Sequence, residues 1–179
     1  MCVLALNGCY GAQPPDAKTV VNVAGAVVLV VIVAAVATSG PIYLGNCAAP
    51  DTPIATPSGD RPIASLREGD LVYSVHRQRI VVVPIAVVHR APVGDDHKVV
   101  RVTFANGTVL RISPGHPTAD GRLFADLRAG DRLDHERIVD VELVAYDQPF
   151  THDILPASDT GAYFAGGALI GSTLKSGTE

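Results

Sequence analysis

Thr56-Pro-Ser-Gly-Asp-Arg-Pro-Ile-Ala-Ser-Leu-Arg-Glu-Gly-Asp70 has a second version later in the chain, Thr118-Ala-Asp-Gly-Arg-Leu-Phe-Ala-Asp-Leu-Arg-Ala-Gly-Asp131. With one gap, Thr, Gly, Arg, Ala, Leu, Arg, Gly and Asp recur in the same order. Two copies are too few for a solenoid, in which at least three repeats stack to bury a core. The repeat therefore indicates an internal duplication within one domain.

Both copies predict the same local structure. Turn residues come first, one helical turn follows, and a glycine suited to the left-handed conformation ends that turn. These glycines are Gly69 and Gly130. A strand then begins, at 71–75 in the first copy and at 132–134 in the second. The duplicated unit is therefore a turn, a short helical turn and a strand.

The sequence around and after the two copies is typical of short strands. The run 79–92 is rich in β-branched residues and contains Pro84, which predicts an edge or a bend. Asn106-Gly107 is a strong hairpin signal between two apolar segments. The remaining predicted strands are 97–104, 108–112, 137–146, 151–155, 162–165 and 168–171. This pattern predicts an all-β domain at 47–173.

Composition excludes several function classes. The net charge of −4 leaves no basic field for a nucleic-acid partner. The three cysteines, Cys2, Cys9 and Cys47, have no short spacing, which argues against a disulfide framework. No CxxC pair and no HExxH sequence is present. We therefore expect no metal site and no cofactor.

An apolar run lies ahead of the β-rich part. Residues 20–37 carry no charge, and Asn22 is their one polar side chain. At about 1.5 Å per residue the run is roughly 27 Å long, close to the thickness of a bilayer core. A buried core helix is the alternative, but the following domain is too small to surround a helix that is apolar on every side. The run predicts one N-terminal transmembrane helix at 19–39, through which the chain contacts a membrane.

The charges that flank this segment predict its orientation. Lys18 stands just before it, and the first charge after it is Asp51. The positive-inside rule then places the tail 1–18 in the cytoplasm and the β domain of a single-pass protein on the extracytoplasmic side. Residues 40–46 form a linker, and 174–179 form a short C-terminal tail.

Two other interpretations of the N-terminal region stay open. Ala35-Val36-Ala37 resembles a signal-peptidase site, so the segment is alternatively a cleaved secretory signal. Leu6-Asn7-Gly8-Cys9 resembles a bacterial lipobox, which would place a lipid on Cys9. Only eight residues precede Cys9 and none is basic, so a chance match is the alternative.

Three side chains of the β domain have the types used in acyl chemistry. Cys47 stands at its beginning, His116 lies in Ser113-Pro-Gly-His-Pro117, and Asp153 lies on a predicted strand near the end. Each residue also has an ordinary structural interpretation, such as a buried thiol or a histidine that braces a turn. Four other histidines of this part have no ligand spacing and are expected to be surface or core residues: His76, His89, His97 and His135.

Together these stretches resemble the Hint domain, the fold shared by inteins and the autoprocessing part of hedgehog proteins. Cys47-Ala-Ala-Pro-Asp-Thr-Pro-Ile54 resembles the N-terminal intein block, and Leu110-Arg-Ile-Ser-Pro-Gly-His-Pro117 resembles the second block, whose core is Thr-x-x-His. His152-Asp-Ile-Leu155 and Tyr163-Phe-Ala-Gly-Gly-Ala-Leu-Ile170 resemble the C-terminal blocks. The fold that this implies is a two-fold-related β horseshoe, which agrees with the duplication.

The resemblance also implies a reaction, an N–S acyl shift at the Asn46–Cys47 bond. Cys47 would attack the carbonyl carbon of Asn46 and convert the peptide bond into a thioester. His116 would protonate the departing nitrogen, Ser113 would polarise the carbonyl oxygen in place of the usual Thr, and Asp153 would assist proton transfer. The acyl acceptor, water or an unidentified nucleophile, would then complete a single-turnover self-cleavage.

The end of the domain departs from the splicing pattern. Inteins end in His-Asn before Cys, Ser or Thr, whereas this chain has Gly171-Ser172-Thr173, and Ala162 stands where a His is often found. Ser172 cannot form a succinimide, and only six residues follow Thr173, so protein splicing is not expected. Three hypotheses remain: a self-cleaving Hint-like domain, a retired Hint fold that is a membrane-anchored binding or structural module, and a lipoprotein-like surface domain without acyl chemistry.

Overall fold

The structure, a computed structural model, describes residues 22–23, 26–27 and 46–175. The chain divides into two compact units, Met1–Ile42 and Tyr43–Glu179. In the first unit, the described residues form two short strands, β1 (Asn22–Val23) and β2 (Ala26–Val27), which pair in antiparallel fashion.

The N-terminal predictions lie almost wholly outside the described residues. The tail 1–18, with Cys9, is one of them, and so is the linker 40–46 apart from Asn46. In the predicted transmembrane segment 19–39, only the four residues of β1 and β2 are described, and they are strand. No helix in the described part of the chain is long and apolar enough to cross a membrane. The membrane span and its orientation therefore stay predictions.

The second unit is all-β, as the sequence predicts, and its helical content is limited to two short 3-10 turns, Ile63–Ser65 and Phe124–Asp126, among the described residues. Its strands are β3 (Pro53–Ile54), β4 (Arg61–Pro62), β5 (Leu71–His76), β6 (Arg79–Pro92), β7 (Lys98–Phe104), β8 (Val109–Ile112), β9 (Arg132–Leu133), β10 (Glu136–Ala145), β11 (Phe150–Pro156), β12 (Tyr163–Ala165) and β13 (Ala168–Ile170).

These strands form two antiparallel sheets. One has the order β8-β7-β10-β9, and the other has the order β11-β6-β5-β12-β3-β4, with β13 paired to β12. The two long strands each change partner along their length. β6 pairs with β5 up to Pro84 and with β11 from Ile85 onward, while β10 pairs first with β9 and then with β7. Pro84 stands at the change of partner, which explains how a proline is accommodated within a long strand.

The two copies of the repeat have matching geometry. The Asp70 carboxylate accepts the Arg67 amide proton at 3.0 Å, and the Asp131 carboxylate accepts the Arg128 amide proton at 2.9 Å. Each aspartate also pairs with an arginine that occupies the same place in both copies, Arg61 at 3.1 Å and Arg122 at 3.4 Å. The predicted duplication is thus also a structural repeat.

One connected core fills the space between the sheets. Its largest buried side chains include Phe104, Phe124 and Tyr163, each with an exposed fraction of 1% or less. The inward residues alternate along the strands, as in β8, where Leu110 and Ile112 are buried and Val109 is exposed. Burial of apolar side chains of this size contributes about 1.5–3 kcal/mol each.

Substitution of Gly69 and Gly130 tests whether the two duplicated turns contribute equally to the stability of the fold. Their φ angles are +86° and +96°, a conformation that disfavours a side chain by about 1–2 kcal/mol. We expect Gly69→Ala and Gly130→Ala each to lower the free energy of unfolding by about that amount, as measured by urea denaturation of the full chain. The matched control is Glu68→Ala, because the second copy already has Ala129 at that place. A loss in one copy only would contradict the equivalence.

Candidate functional site

Cys47 lies at the junction of the two sheets. Its neighbour Ala48 pairs with Ile112 of β8 on one side and with His152 of β11 on the other. The Ala48 amide donates to the His152 carbonyl and the His152 amide donates back, both at 2.8 Å. The Ser113 amide donates to the Cys47 carbonyl at 3.0 Å. Backbone hydrogen bonds on both sides therefore fix the position of Cys47.

The two 3-10 turns of the repeat hold the flanking segments of the site. In the second copy, the Phe124 amide donates to the His116 carbonyl at 3.0 Å and the Ala125 amide donates to the Pro114 carbonyl at 2.9 Å. The Phe124 ring also meets the His116 ring edge-on, with centroids 5.9 Å apart. The second repeat thus fastens the Ser113–His116 turn to the domain.

The first copy makes the same contacts with the segment that follows Cys47. The Ile63 amide donates to the Thr52 carbonyl at 2.9 Å, and the Ala64 amide donates to the Pro50 carbonyl at 3.1 Å. Thr52 and Pro50 therefore occupy the positions that His116 and Pro114 occupy in the second copy. The two copies therefore lie on either side of one site, and each copy bonds to one of the two segments that flank Cys47 and His116.

Asp153 is the most densely hydrogen-bonded side chain of the site, although it is fully buried. Its Oδ1 accepts the Tyr163 hydroxyl at 2.9 Å and the Ile154 amide at 2.8 Å. Its Oδ2 accepts the Thr173 amide at 2.7 Å, the Thr173 hydroxyl at 2.6 Å and the Ser172 hydroxyl at 3.2 Å. A buried carboxylate needs such donors to remain ionised.

The charge state of Asp153 follows from these contacts. Burial alone would raise its pKa, but the His116 imidazole and the two Thr173 donors outweigh burial and hold the pKa below its ordinary value. Oδ1 of Asp153 is 3.7 Å from His116 Nε2. The carboxylate is therefore ionised at neutral pH and faces the imidazole.

His116 is also fully buried, and both of its ring nitrogens face named groups. Nδ1 lies 3.1 Å from the Pro117 carbonyl oxygen, to which it can donate. Nε2 lies 3.5 Å from the Tyr163 hydroxyl, on the Asp153 side of the ring. The structure thus brings together two of the residues that sequence reasoning selected, His116 and Asp153, and adds Tyr163 between them.

The Cys47 thiol is buried, with an exposed fraction of 4%, and burial raises its pKa to about 12. The negative charge of Asp153 adds to the rise, while the Thr151 and Thr173 hydroxyls beside the thiol oppose it. At pH 7 a thiol with this pKa is ionised in only about one molecule in 10⁵. Any reaction of Cys47 therefore requires a group that removes its proton.

Ser113 and Asn46 complete the set of residues predicted from sequence. The Ser113 hydroxyl is buried and lies 3.1 Å from His97 Nε2. Asn46 is exposed, and its side chain lies against Gly115, where a Cβ would come within 2.6 Å of Asn46 Oδ1. Gly115 therefore leaves room for the Asn46 side chain beside the Ser113–His116 turn.

Sequence reasoning missed four residues of the site. It gave His97 no role, and it did not single out Thr151, Tyr163 or Thr173. The one signal for Thr173 was its place in the segment where inteins carry their last residues. His97 gave no signal, because its contact with Ser113 joins residues sixteen positions apart, one just before β7 and the other just after β8. Within the described residues, no three His, Cys, Asp or Glu side chains are grouped so as to hold a metal ion.

The fold is that of inteins. The structure of the gp41-1 intein matches 70% of this chain and 97% of its own, with 20% identity and a TM-score of 0.55. An Ssp DnaB mini-intein variant, M86, matches 74% of this chain and 96% of its own, with 13% identity and a TM-score of 0.60. A bacterial intein-like domain from Clostridium thermocellum matches 70% and 96%, with 17% identity and a TM-score of 0.59. No protein-family model matches the sequence, and neither does any curated protein.

Acid unfolding tests the ionised state of Asp153. Because its folded pKa is depressed, Asp153 stabilises the fold above the ordinary carboxyl pKa of about 3.9, and this contribution disappears as the pH falls toward the folded value. We expect Asp153→Asn to lower the free energy of unfolding by about 3 kcal/mol at pH 7, because it breaks a buried network. The difference in the free energy of unfolding between wild type and variant, measured by urea titration, should become smaller below about pH 4. A gap that does not change with pH would contradict an ionised Asp153; Asp60→Asn, on an exposed turn, is the control.

Proposed function

We propose that this chain is a membrane-anchored self-cleaving domain that breaks its own Asn46–Cys47 peptide bond through an N–S acyl shift, without protein splicing. One observation carries the proposal. Cys47 is buried within a network of Asp153, Thr173 and Thr151, while Asn46, on the other side of the bond, is exposed. This arrangement supports cleavage, because the buried thiol lies beside groups that can take its proton while the exposed Asn46 side of the bond is open to an acyl acceptor.

The proposed first step is removal of the thiol proton. The Thr173 hydroxyl lies beside the Cys47 thiol and donates to Asp153 Oδ2 at 2.6 Å. A proton can therefore pass from Sγ through the hydroxyl to the carboxylate as Sγ attacks the Asn46 carbonyl carbon. The low pKa of the Asp153 carboxyl group keeps it ionised before the step, so it is available as the acceptor.

The second step is protonation of the leaving nitrogen. Asp153 contacts Thr173 through Oδ2 and faces His116 through Oδ1. The carboxylate can therefore pass the proton from the thiol side to the imidazole, and His116 delivers it to the Cys47 nitrogen as the C–N bond breaks. The products are an Asn46 thioester on Sγ and a free Cys47 amine. The amide-to-thioester step is uphill, so an acceptor must trap the thioester.

The membrane anchor is part of the proposal and rests on the apolar, uncharged run at 20–37. Cleavage at Asn46–Cys47 would separate that run from the β domain. The fragment that begins at Cys47 would then leave the membrane as a folded unit, because the backbone pairing of Ala48 with β8 and β11 lies on its side of the bond.

The alternative function is a retired Hint fold that serves as a membrane-anchored binding or structural module. Two observations favour it: the high pKa of the Cys47 thiol, and the contact of the Ser113 hydroxyl with His97. In an inactive site we expect the Cys47 thiol to stay protonated and the Ser113 hydroxyl to be engaged by another side chain, as His97 engages it here. Thiol-induced cleavage separates the two functions, because only an active site forms a thioester.

The cleavage test uses the full chain in detergent micelles with 50–100 mM dithiothreitol, an amount on the order used to trap thioesters, which exchange with external thiolates. We expect mass spectrometry to detect a fragment that begins at Cys47, and we expect this fragment, unlike the uncleaved chain, to partition into the aqueous phase. Cys47→Ala should abolish cleavage, and His116→Ala should slow it about 100-fold, as for loss of a general acid.

The control for the histidine variant is His135→Ala, whose side chain is 92% exposed and lies in a turn. Its cleavage rate should stay within about twofold of wild type, as expected for a surface substitution. An intact wild-type chain after prolonged treatment would contradict self-cleavage and favour a domain without acyl chemistry. Cleavage in the Cys47→Ala variant would assign the reaction to another nucleophile.

Thr173 tests the proposed proton route. Thr173→Val keeps the shape of the side chain but removes its hydroxyl, so we expect thiol-induced cleavage to slow by about tenfold or more. Thr173→Ser should retain most of the rate, because it restores the hydroxyl. Thr103→Val, a matched change on β7, is the control. Equal rates for Thr173→Val and Thr173→Ser would show that the proton leaves Cys47 by a different route.

A further inference from the structure

A groove runs along the exposed side of the Asn46–Cys47 bond. Its volume is about 590 Å³, which is within the usual range of small-molecule sites. Asn46 and Gly115 line one side, and the segment that connects β6 to β7 lines the other, with Gly94, Asp96, His97 and Lys98. The acyl carbon that an acceptor must reach belongs to Asn46, which is one of the residues that line the groove.

Two side chains of opposite charge lie on either side of one histidine in the lining of the groove. Asp96 and Lys98 flank His97 in the sequence, and both are exposed. Neither of them makes an ion pair with any residue of 46–175. A molecule that carries one ammonium group and one carboxylate would pair with both side chains, whereas a simple cation or anion would meet one like charge.

His97 is held in place at the wall of this groove. Its amide donates to the Gly94 carbonyl at 3.0 Å, its ring meets the Tyr146 ring edge-on at 5.5 Å, and its Nε2 lies 3.1 Å from the buried Ser113 hydroxyl. Partial burial lowers the pKa of His97, and the neighbouring Asp96 charge opposes this only in part. The imidazole is therefore neutral at pH 7 and has one ring nitrogen able to accept a proton.

We propose that this groove binds the acyl acceptor, that the acceptor is a small zwitterionic amine of the free amino-acid type, and that His97 is the base that activates it. Asp96 would bind the ammonium group and Lys98 the carboxylate. The inference rests on the proposed function, because it names the substrate class of the same site. It assigns to His97 a task separate from that of His116, which lies on the buried side of Cys47.

The proposed reaction is balanced in atoms and protons. An amine with a pKa near 10 is almost entirely protonated at pH 7 and cannot attack in that form, so the bound ammonium group first loses one proton to solvent. The neutral amine nitrogen then attacks the Asn46 carbonyl carbon while His97 takes the second proton from that nitrogen, and the C–S bond breaks. His97 releases this proton to solvent, and the Cys47 thiolate takes one up. The products are an amide on Asn46, a free Cys47 thiol and a neutral His97.

The first arm of the experiment measures binding without chemistry. Full-length Cys47→Ala in micelles is titrated with glycine, glycinamide and N-acetylglycine, while NMR follows Gly94 and the His97 ring. We expect saturable shifts with glycine and about tenfold weaker binding of the other two, each of which lacks one charge. In Lys98→Gln, glycine should no longer bind more tightly than glycinamide. In Asp96→Asn, glycine should no longer bind more tightly than N-acetylglycine. No saturable shift, or equal binding of all three, overturns the groove assignment.

The second arm measures transfer in the wild-type chain. We expect the fragment that ends at Asn46 to carry the added mass of glycine, with a rate that saturates as the glycine concentration rises. His97→Gln should lower the maximal rate about tenfold or more and change the half-saturating concentration less. Asp96→Asn should raise the half-saturating concentration, whereas the adjacent Asp95→Asn, exposed and outside the groove, should not.

The two proposals fail in different ways. If dithiothreitol gives no cleavage, the self-cleavage function is wrong, and the binding arm alone decides whether the groove takes a zwitterionic amine. If dithiothreitol cleaves the chain but glycine transfer is linear in concentration, or the released fragment carries only water, the acceptor inference is wrong and self-cleavage stands.

Discussion

The backbone pairing of one short segment between two sheets underlies the rest of the structure. Ala48 bonds to β11 through two hydrogen bonds of 2.8 Å, and its neighbours Cys47 and Ala49 bond to Ser113 and Arg111 at the end of β8. Because both sheets contribute, the segment closes the gap between them. The same pairing fixes Cys47 beside Asp153, so the fold and the candidate site depend on one set of contacts.

The buried carboxylate at that junction is tolerated because it is fully satisfied. Asp153 accepts five hydrogen bonds, and each of its two oxygens faces a different part of the site. Removing a charge from water costs several kcal/mol, so a carboxylate without these donors would be neutral or the domain would be unstable. One donor is the neighbouring Ile154 amide on β11, and the others come from β12 and the segment after β13, which ties two distant parts of the chain to one side chain.

The sequence was sufficient for the architecture because its signals are local. The duplicated motif, the Asn106-Gly107 hairpin and the β-branched run 79–92 each lie within a few consecutive residues, and the nine predicted strands match β5 to β13 to within about two residues. The short strands β3 and β4 were not predicted, and β1 and β2 lie in the segment predicted to be a transmembrane helix. Pro84 was predicted to mark an edge or a bend, and it lies where β6 changes partner. Such features depend on backbone propensity, which a single sequence displays.

The site was predicted only in part because its contacts are long-range. Cys47, His116 and Asp153 were selected by side-chain type, and the resemblance to known motifs gave them roles. Tyr163 of β12 meets Asp153 of β11, and His97, just before β7, meets Ser113, just after β8. Neither contact has a fixed spacing in the sequence, so nothing in the residue order distinguishes His97 from the other histidines. The predicted role of Ser113 stays a prediction, and the structure adds the contact of its hydroxyl with His97.

The last residues of the domain show how a site of this fold can exist without the residues that splicing requires. Ser172 and Thr173 stand where a splicing intein carries its cyclising Asn and the residue after it, and their side chains turn inward onto Asp153. A hydroxyl cannot cyclise as an Asn side chain does, but it can hold a carboxylate ionised and carry a proton. Ser172 and Thr173 supply three of the five hydrogen bonds to the buried charge beside Cys47. In the proposed mechanism the C-terminal segment would therefore support chemistry at the Asn46–Cys47 bond instead of undergoing chemistry itself.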